Sequence, residues 1–188
     1  MWRSARTLVL MADNSERLRT LRALAHPLRL RILSLLTGQA MSAAELARAL
    51  DETQANVSYH LRVLATVGHA KPTEQVTIRG GRATRYRYVQ PELPAGVAAT
   101  GGSLSVEDHV LYASALGREL ERRTGLRDTR QPGPSTDAEL WVHPQHWQEF
   151  TDAVVAASAR LHARAQANGS RGTVRTSTTI SLFRMRPR

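Results

Sequence analysis

The stretch TQANVSYHLRVL, residues 53–64, carries His60 between Tyr59 and Leu61. An imidazole titrates near neutral pH, so a histidine can be a general base, a metal ligand, a nucleic-acid contact or a packed side chain. The rest of the chain narrows the choice. There is no P-loop, G-x-G-x-x-G, nucleophile elbow or H-E-x-x-H, and the acids are scattered among arginines. No catalytic residue is assigned, and the chain reads as a non-enzyme. It has no cysteine, which removes thiolate metal sites, disulfides and cysteine nucleophiles together. Asp108 with His109, and His143 with His146, are the remaining ligand pairs. His109 lacks a second histidine a few turns along, and Pro144 separates His143 from His146 at a helix start. Packing or capping is the better reading of all four, and neither metal nor cofactor is expected.

A helical wheel at roughly 100° per residue sorts the stretch into two sides. Val57, Leu61 and Leu64 share one narrow apolar sector. Ala55, Ser58, Tyr59 and Arg62 lie opposite, with Gln54 at the edge. A polar sector that ends at a helix N-terminus suits a DNA major groove. There, hydroxyl, amide and guanidinium groups read base edges, and backbone N–H groups meet phosphate. An ordinary solvated face would look the same in isolation, so the elements around it must decide. His60 falls on the flank of the apolar sector. It reads as a half-buried packing residue with one ring nitrogen reaching a phosphate or a backbone carbonyl. Thr53 reads as the helix cap, with phosphate contact as its other role.

The surrounding elements are legible from pattern. NSERLRTLRALAHPLRLRILSLLTG is helical by its leucine spacing, and Pro27 divides it into two helices. Ser42 and Glu45 form an S-x-x-E capping box that opens a third helix, SAAELARAL. A tight connection and Thr53 then start the fourth, which Gly68 stops. Two β-patterned runs around Gly80-Gly81 predict a hairpin. Arg79 and Arg82 straddle its tip and Arg85 follows on the returning strand, where a minor groove or phosphates would meet them.

Four helices followed by an arginine-flanked hairpin describe a winged helix-turn-helix. The elements LRALAHPLRLRILSLL, SAAELARAL and TQANVSYHLRVLATVGHA, followed by the wing, resemble the ArsR-type winged helix-turn-helix regulators over residues 15–90. The resemblance implies a homodimeric, double-stranded-DNA-binding repressor whose outer helices pair the subunits. It also implies DNA contacts at the positions matching Gln54, Ser58 and Tyr59, in agreement with the wheel. A non-specific architectural nucleic-acid binder is the alternative function.

Charge agrees with a polyanionic partner. The formal net charge is +10, and Lys71 is the sole lysine among 26 basic residues. Arginine makes the planar bidentate contacts to phosphate and guanine that lysine cannot. Hydrophobic residues make up 41 % of the chain, enough for a core rather than disorder. No apolar run approaches the roughly 20 residues of a membrane helix, so a cytoplasmic location without membrane contact is expected.

The fold class expected is α+β, with a flexible tail over 1–14, the winged domain over 15–90 and a linker over 91–104. Residues 105–188 are expected to form a smaller helix–strand–helix–strand region for dimerisation and a candidate effector site, with an unknown small molecule. This region resembles the C-terminal extensions of some actinobacterial members. Its first helix has Val106, Val110, Leu111, Leu116 and Leu120 as the apolar set, and its strands are AELWVH and TVRTSTTISLFRM. The helix from Pro144 to Ala167 puts Trp147, Phe150, Val154 and Leu161 on one face. Trp141, His143 and Trp147 are the residues that would line a ligand pocket there.

Overall fold

The computed structural model of the protein describes residues 15–78, 81–89, 105–131 and 133–186. Helix α1 covers 15–24, and α2 runs Pro27–Gly38. Proline sits at the first turn of α2, where its missing N–H costs nothing, and His26 Nδ1 accepts from Leu28 N–H at 3.2 Å to cap the same end. A two-residue strand β1, Met41–Ser42, leads into α3, Ala43–Leu50. Ser42 Oγ accepts from Glu45 N–H at 3.3 Å while Glu45 Oε2 accepts from Ser42 N–H at 2.7 Å, which completes the expected capping box. Helix α4, Gln54–Thr66, starts under Thr53, whose Oγ1 accepts from Asn56 N–H at 3.2 Å. The chain leaves α4 through Gly68 at φ +77°, a left-handed conformation that a Cβ would disfavour.

Strands β2, Ala70–Ile78, and β3, Gly81–Tyr88, form the wing hairpin, and β1 adds on the other side of β3, so the sheet order is β1-β3-β2. The register runs from Ala70↔Tyr88 to Ile78↔Gly81, with an irregularity between Pro72 and Glu74. Pro72 is tolerated because β2 is an edge strand and its missing N–H breaks no ladder. Strand β1 is not legible in the sequence, since two residues show no period. It pairs Met41 with Tyr86 and Ser42 with Arg85.

One core holds these elements together. Leu28, Ile32, Leu33 and Leu36 of α2 meet Leu46, Ala47 and Leu50 of α3 and Val57, Leu61 and Leu64 of α4, with Met41 and Ala70 closing the sheet side. The apolar sector of the wheel is thus the buried one.

The C-terminal region departs from its pattern. Helix α5 runs Val106–Thr124 under a Ser105 cap, and α6 runs Pro144–Ala163, four residues shorter than the sequence pattern. The α5 face expected to be buried is largely exposed: Val106, Val110, Leu111 and Leu120 face solvent, and Leu116 is half-buried. Asp108, Ala115 and Glu119 are buried instead. The reason is polar docking. Arg22 Nε of α1 donates to Asp108 Oδ1 at 2.8 Å, and Arg122 and Arg123 neutralise Glu119 at 2.8 and 3.4 Å. Such charges enter a protein interior only when paired. Helix α6 buries none of its residues. The expected strands over 138–143 and 173–185 do not form. A strand is stabilised by a neighbour that takes its hydrogen bonds and covers one face, and Trp141 and Val174 stand 85 % and 83 % exposed. The tail and the linker, over 1–14 and 91–104, lie outside the described residues. No helix among the described residues is long and apolar enough to cross a membrane.

Candidate nucleic-acid interface

Helix α4 decides the interface because its two faces have opposite fates. Val57, His60, Leu61 and Leu64 are buried. Gln54, Ala55, Tyr59 and Arg62 are exposed and Ser58 is half-buried. Tyr59 projects with 55 % of its surface free. Arg62 Nε donates to Ser58 O at 3.3 Å, which lays its guanidinium along the same face. The helix N-terminus lies at one end of this polar face, a favourable place for phosphate. The structure thus brings the five sequence-assigned groups together on one open surface of a helix anchored from behind.

His60 is more deeply placed than the sequence indicates. It is buried, and its ring lies 4.5 Å from that of His26 and 5.1 Å, edge-on, from that of Tyr59. Arg29 Nη1 sits 3.5 Å from His60 Nδ1. The Arg29 guanidinium also donates to Arg22 O at 2.9 Å and to Ala23 O. This Nδ1 faces an arginine, so His60 joins α4 to the α1–α2 corner. Nothing in the sequence spacing links Arg29 to His60, which are brought together only by helix crossing.

Three histidines share one electrostatic trend. Burial lowers the pKa of His26, His60 and His69 below the ordinary value, and nearby positive charge from Arg29 adds to the effect at the first two. His69 stacks on Tyr88 at 6.3 Å, and neither of its ring nitrogens has a partner among the described residues. The unfolded chain therefore binds more protons than the folded one below about pH 6.5. Stability is complete above that pH and falls as the solution is acidified. Urea midpoints are expected to drop between pH 7.5 and 5.5, and His69→Leu is expected to flatten the drop. A midpoint that holds or rises on acidification would contradict this.

The wing divides its arginines by role. Arg82 is exposed, and its Nη2 donates to Gln75 Oε1 at 2.5 Å, which holds the side chain along the hairpin. Arg87 is exposed. Arg79 lies outside the described residues. Arg85, assigned to DNA by its place on the returning strand, is half-buried and held by carboxylates. Its Nε and Nη2 grip Glu45 at 3.2 and 2.5 Å, and its Nη1 reaches Glu74 at 3.3 Å. Hydrogen bonds from Arg85, reinforced by those from Ser42, hold the Glu45 carboxyl down at about 2. Glu45 serves both as the cap of α3 and as the anchor of the wing. Sequence reading finds the first role, because a capping box is local. It misses the second, because residues 45 and 85 meet only through the β1–β3 pairing of Ser42 with Arg85.

The expected ligand pocket does not assemble in the single chain. Trp141 is almost fully exposed, Trp147 is half-buried against Phe150 at 6.4 Å, and His143 Nδ1 caps α6 by accepting from Gln145 N–H at 3.3 Å. The pocket needs a wall opposite α6, and the extended 138–143 segment does not supply one. Asp108 is taken by Arg22 and Ser105. His146 Nδ1 lies 3.5 Å from Glu149 Oε2, an exposed pair.

Residues 24–68, which span the end of α1 through α4, match a family described as a helix-turn-helix domain. No curated protein matches the chain. The matched segment holds every assigned residue of the α4 face, and it excludes the wing and the C-terminal region. The protein carries a helix-turn-helix domain, and that domain indicates a DNA-binding regulator.

Proposed function

We propose that the protein is a sequence-specific transcriptional repressor of the ArsR type, acting as a homodimer and without catalytic activity. The observation that carries this reading is the exposed face of Gln54, Ala55, Ser58, Tyr59 and Arg62 on a helix whose reverse side builds the core. Such a face is held rigidly enough to read base edges. Arg82 and Arg87 on the wing supply phosphate affinity beside it. Signal sensing through thiolate-bound metal is ruled out by the lack of cysteine.

The exposed apolar residues of α5, Val106, Val110, Leu111 and Leu120, support the dimer. An apolar stripe of this kind on a helix is an association surface. Two copies related by a twofold axis would favour a near-palindromic operator with half-sites separated by about one or two turns, roughly 10–10.5 bp each.

Selection of bound fragments from random DNA tests specificity. The wild-type chain is expected to enrich a single palindromic motif. Tyr59→Ala is expected to blur that motif and to weaken its binding roughly 10- to 100-fold, in keeping with removal of a base-reading side chain. Equal affinity for every duplex at physiological salt would instead identify a non-specific architectural binder.

A further inference from the structure

Charge is divided sharply within the C-terminal region. Residues 105–163 carry six arginines against nine acids, whereas residues 164–188 carry six arginines and no acid at all. A stretch with cations and no anions does not neutralise itself. In the structure it stays open: Arg164, Arg171, Arg175, Arg184 and Arg186 are exposed and pair with no acid among the described residues.

The backbone of the stretch is suited to reach. Helix α6 ends at Ala163, and two turns with Gly169 and Gly172 at φ +78° and +76° redirect the chain. Residues 173–186 then run without helix or strand. Fully extended at roughly 3.3 Å per residue, they would span about 45 Å, more than the roughly 34 Å of one DNA turn. The arm departs beside the winged domain, because the Gln166 carbonyl packs against Gly38 at the end of α2. Gly38 also lines the surface groove that contains Arg85 and Arg87 of β3. Thr173, Thr176, Ser177, Thr178 and Thr179 stand exposed between the arginines. Hydroxyl and guanidinium groups are the usual donors to phosphate oxygens.

We propose that residues 164–186 form a second DNA-binding element, an arginine arm that grips the phosphate backbone flanking the site read by α4. The inference rests on the DNA-binding reading, and duplex DNA is the partner because the helix-turn-helix domain brings it to the same chain. The arm adds affinity without sequence preference, since phosphate contacts carry no base information. It releases counterions, so its contribution is steeply dependent on salt.

The test uses the full chain and a variant with Arg171, Arg175, Arg184 and Arg186 each changed to Gln, matched by circular dichroism. Binding to a 30-bp duplex of arbitrary sequence is titrated by fluorescence anisotropy over a range of salt. The plot of log affinity against log salt is expected to become shallower by about 0.9 for each phosphate that the variant arm no longer neutralises. The motif selected from random DNA is expected to stay the same. Unchanged affinity and slope, with DNA still bound, would overturn the arm alone. Failure of the wild-type chain to bind any duplex would overturn the DNA-binding reading and the arm with it. The interleaved Val174, Ile180, Phe183 and Met185 also suit an anionic bilayer. If the variant loses binding only to phosphatidylserine vesicles and not to DNA, the arm is a membrane element and the proposal falls.

Discussion

Leu64→Ala is expected to cost about 2–5 kcal/mol of folding stability, the loss of a fully buried leucine. Leu64 is fully buried on the inner face of α4, among Val57 and Leu61 of its own helix and Ile32 and Leu36 of α2. Truncation removes its transfer free energy and also leaves a void, because helices packed on both sides collapse only partly. A domain of this size has roughly 5–15 kcal/mol in total, so the loss removes a large share of it. DNA binding falls in consequence, since an α4 that comes away from the core no longer presents Ser58 and Tyr59. Tyr59→Ala makes the useful contrast. Its side chain is more than half exposed, so its effect on stability is expected within about 0.5 kcal/mol while recognition is lost. Urea denaturation of both variants separates the two effects. A Leu64→Ala midpoint equal to the wild type would show that α4 is not anchored in this way.

Glu45→Ala is expected to cost about 2 kcal/mol at pH 7 after allowance for partial solvent screening. The substitution removes half of the capping box of α3 and deprives Arg85 of its bidentate partner. Helix α3 and the wing are both weakened by this one change, because the same carboxylate serves both. The pH dependence identifies the cause. The folded-state pKa, about 2, lies below the ordinary carboxylate value. The stabilisation is therefore present above about pH 4.5 and fades as pH falls toward 2. Wild type and variant are expected to differ in urea midpoint at pH 7 and to converge near pH 2.5. A gap that persisted at low pH would assign the loss to packing rather than to charge.

Local pattern makes much of this protein legible without any tertiary contact. Leucine spacing marks α1 to α4, Pro27 marks the break, and Ser42, Thr53 and Gly68 mark helix ends, because each signal depends on backbone atoms within a turn of itself. The wheel of α4 also separates the core face from the open one, since a helix of fixed pitch has only one way to bury Val57, Leu61 and Leu64. The roles of the charged groups are not readable in this way. Arg85 and Glu45 are forty residues apart in the chain, and their pairing follows from β1 joining β3. His60 meets His26 and Arg29 only because α4 crosses the α1–α2 corner.

The C-terminal region shows the opposite failure. The alternation over 138–143 and 173–185 records a preference for half-covered, hydrogen-bonded strands, and a preference becomes a strand only when a neighbour supplies the bonds and the cover. Sequence by itself determined the helices of the winged domain, the face of α4 that stays open and the excess of arginine. Tertiary structure decided which arginines remain free for phosphate and which, like Arg85, are held by a carboxylate. An ion pair depends on where two distant segments are brought together, whereas a helix face depends only on residues three and four apart.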